Sequence, residues 1–106
     1  MELKHLNAQE FDEALQSGKA AMIDFSAVWC GPCQILAPVM ETLADRYEGK
    51  ALVAKVDVDE QAELARRFGI MSIPTLVVMN YGLFQTRAVG VQSREAVMEM
   101  LAPLLG

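Results

Sequence analysis

Cysteine is scarce in this chain. Its 106 residues include two, Cys30 and Cys33, too few to staple a disulfide-scaffold mini-protein. Histidine is scarcer still, with His5 alone, so cysteine and histidine together fall short of the four ligands of a structural zinc site. Basic charge is in deficit. Nine Lys and Arg against fourteen Asp and Glu give a net charge of −5, which argues against nucleic acid or an anionic membrane as the main partner. No apolar run reaches half of the roughly 20 residues needed to span a bilayer. Met1-Glu2-Leu3-Lys4-His5 lacks a basic stretch followed by an apolar one, so no signal peptide is expected. Repeats, low-complexity tracts, charge blocks and linkers are missing too. What remains is 53% apolar and 22% charged, the balance of a soluble globular core. That is enough apolar surface to offset the entropy of ordering, which excludes a disordered chain. One compact domain over residues 1–106 is expected.

Short apolar runs alternate with helical patterns, the signature of βαβ units. Leu3 to Leu6 reads as a first strand. Asn7 can cap a helix with Glu10 as its reciprocal partner, Phe11, Ala14 and Leu15 form the buried stripe, and Gly18 supplies the stop. Ala20 to Ser26 reads as a buried strand. The helix that follows, from about Pro32 to Tyr47, repeats Leu36, Val39, Met40, Leu43 and Tyr47 at helical spacing, and Gly49 ends it. Ala51 to Asp57 is a further buried strand, with Asp59 as the expected cap of a helix over Glu60–Phe68 that stops at Gly69. Thr75 to Met79 and Leu83 to Val89 form a hairpin across Asn80-Tyr81-Gly82, because no helix fits so short a gap. Ser93 caps a last helix whose Ala96, Val97, Met100, Leu101 and Leu104 face inward, with Pro103 fraying or bending its end. The order βαβαβαββα predicts an α/β fold, a central mixed sheet with helices on both faces.

Two cysteines scattered at random would fall three apart about one time in fifty, so the spacing invites a chemical reading. Cys30-Gly31-Pro32-Cys33 sits where the second strand hands over to a helix. Pro32 suits the first helical turn, where its missing N–H is of no consequence. Cys30 then lies at the helix N-terminus, where free N–H groups and the positive dipole end favour a thiolate. Cys33, one turn on, falls on the same face and can close a disulfide with it. Thiol–disulfide exchange needs that arrangement, an exposed acidified attacker with a second thiol to resolve the mixed disulfide. Two buried, inert structural cysteines are the bland alternative, but a strand-to-helix corner at the C-terminal edge of a sheet is seldom buried.

Asp24 interrupts Met22-Ile23-Asp24-Phe25 in a strand expected to be buried on both faces, where carboxylates are almost never found unless paired or functional. Burial would raise its pKa toward neutrality. Strand alternation puts Met22, Asp24 and Ser26 on one face, beneath the helix that carries Cys33. Two readings stand together. Asp24 can accept the Cys33 proton during resolution, or it can be a structural carboxylate satisfied by Lys55 of the next strand; the first is preferred, and both can hold. Pro74, in Ile73-Pro74-Thr75, can open a strand because it need donate nothing to the ladder. A cis proline in a tight turn is the other reading, against a base rate of about 5–6% for X–Pro bonds in folded proteins.

Trp29-Cys30-Gly31-Pro32-Cys33 resembles the active site of the thioredoxin family, and the likeness runs nearly end to end. Asp24-Phe25, Pro38, Lys55-Val56-Asp57-Val58-Asp59, Gly69-Ile70, Ile73-Pro74-Thr75 and Gly90 all stand in register with it. The resemblance implies a thioredoxin fold with a five-stranded mixed sheet and four flanking helices. It implies Cys30 as nucleophile, Cys33 as resolving thiol, Asp24 as acid–base group and Lys55 as its modulator. It implies a cis Pro74 facing the cysteines, with backbone that pairs to an extended substrate. Trp29, Gly31, Pro32, Ile73, Gly90 and Val91 would form the flat apolar docking patch. Small apolar contacts and main-chain pairing suit a carrier that meets many partners.

The activity so implied is a cytoplasmic protein-disulfide reductase, a monomer with no bound cofactor. It would be recharged by a thioredoxin reductase that draws on NADPH and FAD, and its substrates would be disulfide-containing proteins. Departures fall on the rim. Gln34 stands where Lys or Arg is common, Val28 where an acidic or polar residue is common, Ser26 where Trp is frequent, and Met71-Ser72 precede Ile73-Pro74. These make the rim less charged and more apolar, and Met71 an adaptable contact that an oxidant could reach. An oxidase or isomerase would reverse the direction, but the oxidising relatives often carry His where this chain has Pro32. A non-redox docking subunit would use the apolar patch alone.

Overall fold

The computed structural model describes residues 3–105. Its first helix begins as the side chains predict. Asn7 Oδ1 accepts the Glu10 N–H at 2.8 Å and the Glu10 carboxylate accepts the Asn7 N–H at 3.0 Å, which satisfies two of the donors a helix start leaves open. In chain order the elements are β1 (Lys4–His5), α1 (Ala8–Gln16), β2 (Ala20–Ser26), α2 (Gly31–Arg46), β3 (Ala51–Asp57), α3 (Ala62–Arg67), β4 (Thr75–Asn80), β5 (Leu83–Val89) and α4 (Arg94–Leu101), closed by a 3₁₀ turn at Ala102–Leu104. Pro103 falls in that turn, where the last helix tightens instead of continuing.

The five strands form one mixed sheet in the order β1-β3-β2-β4-β5. The strand β2 runs parallel to β3 and antiparallel to β4. On one face Met22, Leu36, Met40, Leu43, Val97 and Leu101 close a core between the sheet and α2 with α4. On the other, Phe11, Ile23, Phe25, Leu64 and Val77 close a second core with α1 and α3. Period-two alternation along β2 feeds both cores, which is why the whole strand is buried.

Three boundaries differ from the sequence expectation. The first ladder is confined to Lys4–His5 rather than Leu3–Leu6, with Leu3 packed into one core and Leu6 into the other, as strand alternation requires. The hairpin turn narrows to Tyr81-Gly82, both at positive φ (51° and 76°), so Asn80 joins β4 and pairs with Leu83. The third concerns α3. Asp59 does not cap it; the N-cap is Gln61, which makes no side-chain cap bond. Asp57 organises the entry instead, its Oδ1 accepting the N–H groups of Asp59 at 2.8 Å and Glu60 at 3.0 Å. That leaves the Asp59 carboxylate free to bond elsewhere.

Candidate active site

The site assembles where three segments meet at one end of the sheet. The C-terminal end of β2 delivers the loop to Cys30, the entry of β4 delivers Ile73-Pro74, and the end of β3 delivers Asp57 to Asp59. Topology makes the meeting inevitable. Antiparallel pairing sets Phe25 opposite Thr75, and parallel pairing sets Asp24 opposite Lys55. Ile73 thus faces a cysteine 43 positions away in sequence, its carbonyl oxygen 3.8 Å from Cys30 Sγ.

Cys30 is the N-cap of α2, and its Sγ accepts the Cys33 N–H at 3.2 Å. Pro32 occupies the first turn, as its sequence position predicts. Cys30 and Cys33 are joined in a disulfide with Cα atoms 5.2 Å apart, a spacing within the normal range. The exposed attacker expected from a strand-to-helix corner is not what the structure holds. Cys30 is only 4% exposed, because Ala27, Val58 and Ile73 pack around the sulfurs.

Asp24 is fully buried, and neither carboxylate oxygen has a hydrogen-bond partner. Burial pushes its pKa up to about 6, while the positive charge of Lys55 pulls it part of the way back. Lys55 therefore acts on Asp24 through space from the neighbouring strand. The structural reading, a carboxylate satisfied by Lys55, fails at the level of contact. Near Cys33 a cavity of about 100 Å³ is bounded by Ser26, Ala27, Cys33, Lys55 and Asp57. A larger cavity, about 350 Å³ between Ala14, Lys19, Ala44, Glu48 and Leu52, lies at the far end of the sheet, away from the sulfurs.

Around the disulfide, Trp29, Gly31, Pro32 and Val91 are exposed and Ile73 and Gly90 half-buried. Pro74 differs from the rest of that set. Its side chain is buried and its peptide bond with Ile73 is cis, so it presents backbone rather than a side chain. Pro74 O accepts the Gly90 N–H at 2.8 Å, which ties the two backbone segments together. Gly90 sits at φ 91°, a conformation that side-chain-bearing residues rarely adopt.

Sequence reasoning missed Asp59. Its Oδ2 accepts the Trp29 indole N–H at 2.7 Å and so fixes the largest exposed ring beside the disulfide. The Val56-Asp57-Val58-Asp59 run carried the signal, since only one of two closely spaced carboxylates is needed to start a helix. Gln34 was also undervalued; its side-chain amide donates to the Val28 carbonyl at 3.2 Å and braces the loop before Trp29.

A disulfide on a helix N-terminus, beside a cis proline at the entry of an antiparallel strand, defines a thiol–disulfide oxidoreductase. The thioredoxin family model matches residues 2–103. A thioredoxin from Staphylococcus haemolyticus is 46% identical over 101 residues, 95% of this chain and 96% of that one. One from Chlorobaculum thiosulfatiphilum is 44% identical over 89% of this chain and 87% of its own length. Among solved structures, a mutant thioredoxin from Halobacterium salinarum superposes with a TM-score of 0.91 at 37% identity, covering 99% of this chain and 92% of that one. The chain belongs to the thioredoxin family, and its activity is protein-disulfide reduction by dithiol–disulfide exchange. Among the described residues no group of three or more His, Cys, Asp and Glu could hold a metal ion, and no helix is long and apolar enough to cross a membrane.

Proposed function

We propose that the chain acts as one domain and one monomer in the cytoplasm, carrying electrons from a thioredoxin reductase to disulfide-containing proteins. The observation that carries the reading is Cys30 Sγ at the head of α2, accepting a backbone N–H and bonded to Cys33. In the reduced protein that N–H and the helix dipole favour negative charge on Cys30. The Cys30 thiolate attacks one sulfur of a substrate disulfide. A new bond forms between Cys30 and substrate, and the other substrate sulfur leaves as a thiolate. Cys33 then gives its proton to Asp24 and attacks Cys30 Sγ, releasing the second substrate thiolate and leaving the Cys30–Cys33 disulfide. Two electrons have passed to the substrate.

Asp24 suits the acceptor role because burial sets its pKa near the working range, with Lys55 as its modulator. Trp29, Gly31, Pro32, Ile73, Gly90 and Val91 form the docking patch, and backbone beside Pro74 pairs with the extended substrate segment. The family's exchange runs on the two sulfurs alone. NADPH and FAD enter through the reductase, which restores the dithiol. The cytoplasm is the compartment that keeps such a pair reduced.

Insulin reduction with NADPH, tested with and without a thioredoxin reductase, reads the whole cycle. Turnover should require both proteins. Tagged Cys33→Ser should trap substrates as mixed disulfides in cell extract. A Cys33→Ser protein that captures nothing, or turnover that survives Cys30→Ser, would rule this mechanism out.

A further inference from the structure

Met71 is 95% exposed, the extreme among the exposed large apolar side chains. The chain hides its other described methionines. Met22, Met40 and Met79 are buried, and Met98 and Met100 half-buried. Among the described residues one thioether is thus fully offered to solvent, two positions before Ile73, whose carbonyl oxygen lies 3.8 Å from Cys30 Sγ. Met71 helps to line a cavity of about 210 Å³ with Trp29, Val58, Ala65, Ile70 and Ile73, among which Ser72 supplies the one hydroxyl. No charged side chain borders it. The cavity shares two walls with the disulfide's surroundings, since Val58 and Ile73 also pack against Cys30 and Cys33 and the Ile73 carbonyl lies 3.8 Å from Cys30 Sγ. Its apolar lining suits an apolar side chain of a substrate polypeptide, close to the substrate's own reacting cysteine.

We propose that Met71 is an oxidation-sensitive docking residue: peroxide converts its thioether to the sulfoxide, and the rim then holds apolar substrate segments less tightly. The inference rests on the reductase reading. Hydrogen peroxide supplies the oxygen. Its O–O bond breaks as an S–O bond forms, the methionine sulfur loses two electrons, and the second oxygen leaves with both protons as water. A flexible apolar side chain becomes a polar one. The exchange chemistry is separate, because Asp24, Lys55 and the Cys33 N–H that faces Cys30 all lie outside this cavity. In the disulfide form the two cysteines carry no free thiol, so among the described residues Met71 offers the most exposed sulfur. Peroxide would then weaken docking without touching the redox pair, and a methionine sulfoxide reductase would restore it.

The test uses the full chain in its disulfide form, treated with hydrogen peroxide and then freed of it. Peptide masses should place a single added oxygen on Met71. In the reductase-coupled insulin assay KM should rise about threefold to tenfold, with kcat and the midpoint potential of the cysteine pair unchanged. Methionine sulfoxide reductase should bring KM back. Met71→Gln should show the raised KM without peroxide, and Met71→Leu should show the same KM before and after it. Three results overturn the proposal: no oxygen on Met71, oxygen there with KM unmoved, or an equal peroxide-induced rise in Met71→Leu. An untreated protein that reduces no insulin would instead overturn the reductase reading itself.

Discussion

On the core side of the disulfide, Asp24 is buried with both oxygens unbonded. On the solvent side, the Asp59 carboxylate is exposed and bonded to Trp29, whose ring is 67% open to water. The same residue type does opposite work in the two places. At position 24 removal from water keeps a proton within reach of neutral pH, so the group is suited to chemistry. At position 59 an exposed carboxylate serves as the acceptor that orients a ring. In the proposed mechanism the core side tunes the reaction and the solvent side tunes what docks. Substitutions on the two sides should therefore move different observables.

The largest effect is expected from Asp24→Asn. The wild-type carboxyl has a pKa of about 6 in the folded chain against 3.8 unfolded. Between those values the native state holds more protons than the unfolded one, so stability falls as pH rises through that window. A rise of this size corresponds to about 3 kcal/mol. At pH 8 Asp24→Asn should be more stable than wild type by up to about that amount, and near pH 3 the two should converge. Its insulin reduction should slow at the resolving step, read as a mixed disulfide that persists longer. Chemical denaturation across pH checks the first expectation. A wild-type stability that is flat from pH 4 to 7 would remove the core side's special character.

Asp59→Ala comes next and acts on the other side. Losing the charged acceptor of the Trp29 indole N–H at an exposed site should cost about 0.5–1 kcal/mol in docking, a two- to fivefold rise in KM with kcat held. Broadened Trp29 fluorescence would report the freed ring. A fall in kcat with KM unchanged would mean the two sides are not separable.

These contrasts were unevenly legible in the sequence. Ala20–Ser26, Ala51–Asp57, the Asn7 capping box and the Cys30–Cys33 helix start could be read directly, since periodicity and caps are local signals. Asp24 stood out because a carboxylate inside an apolar run conflicts with its neighbours. What local pattern could not give was the burial of Cys30. Its covering residues, Val58 and Ile73, come from other segments. Nor could it choose between Asp57 and Asp59 as the start of α3, because the decision turns on an indole 30 positions away. The cis state of Ile73–Pro74 was implied by family resemblance alone, as its sequence neighbours fit a trans strand entry equally well.

The smallest effect sharpens the comparison most. Lys55 sits across the ladder from Asp24 and lowers its pKa by charge alone, with no hydrogen bond between them. Lys55→Met keeps most of the side chain's length and removes the charge. Asp24 should then titrate higher, and the pH window over which stability falls should extend upward while its lower limit, set by the unfolded chain, stays in place. Docking should not respond, because Lys55 borders the cavity beside Cys33 and not the one beside Trp29. Stability against pH in Lys55→Met, with insulin KM measured in parallel, separates the two. An upper limit that stays put would show that burial alone sets Asp24. A KM that moved with it would join the core side to the rim.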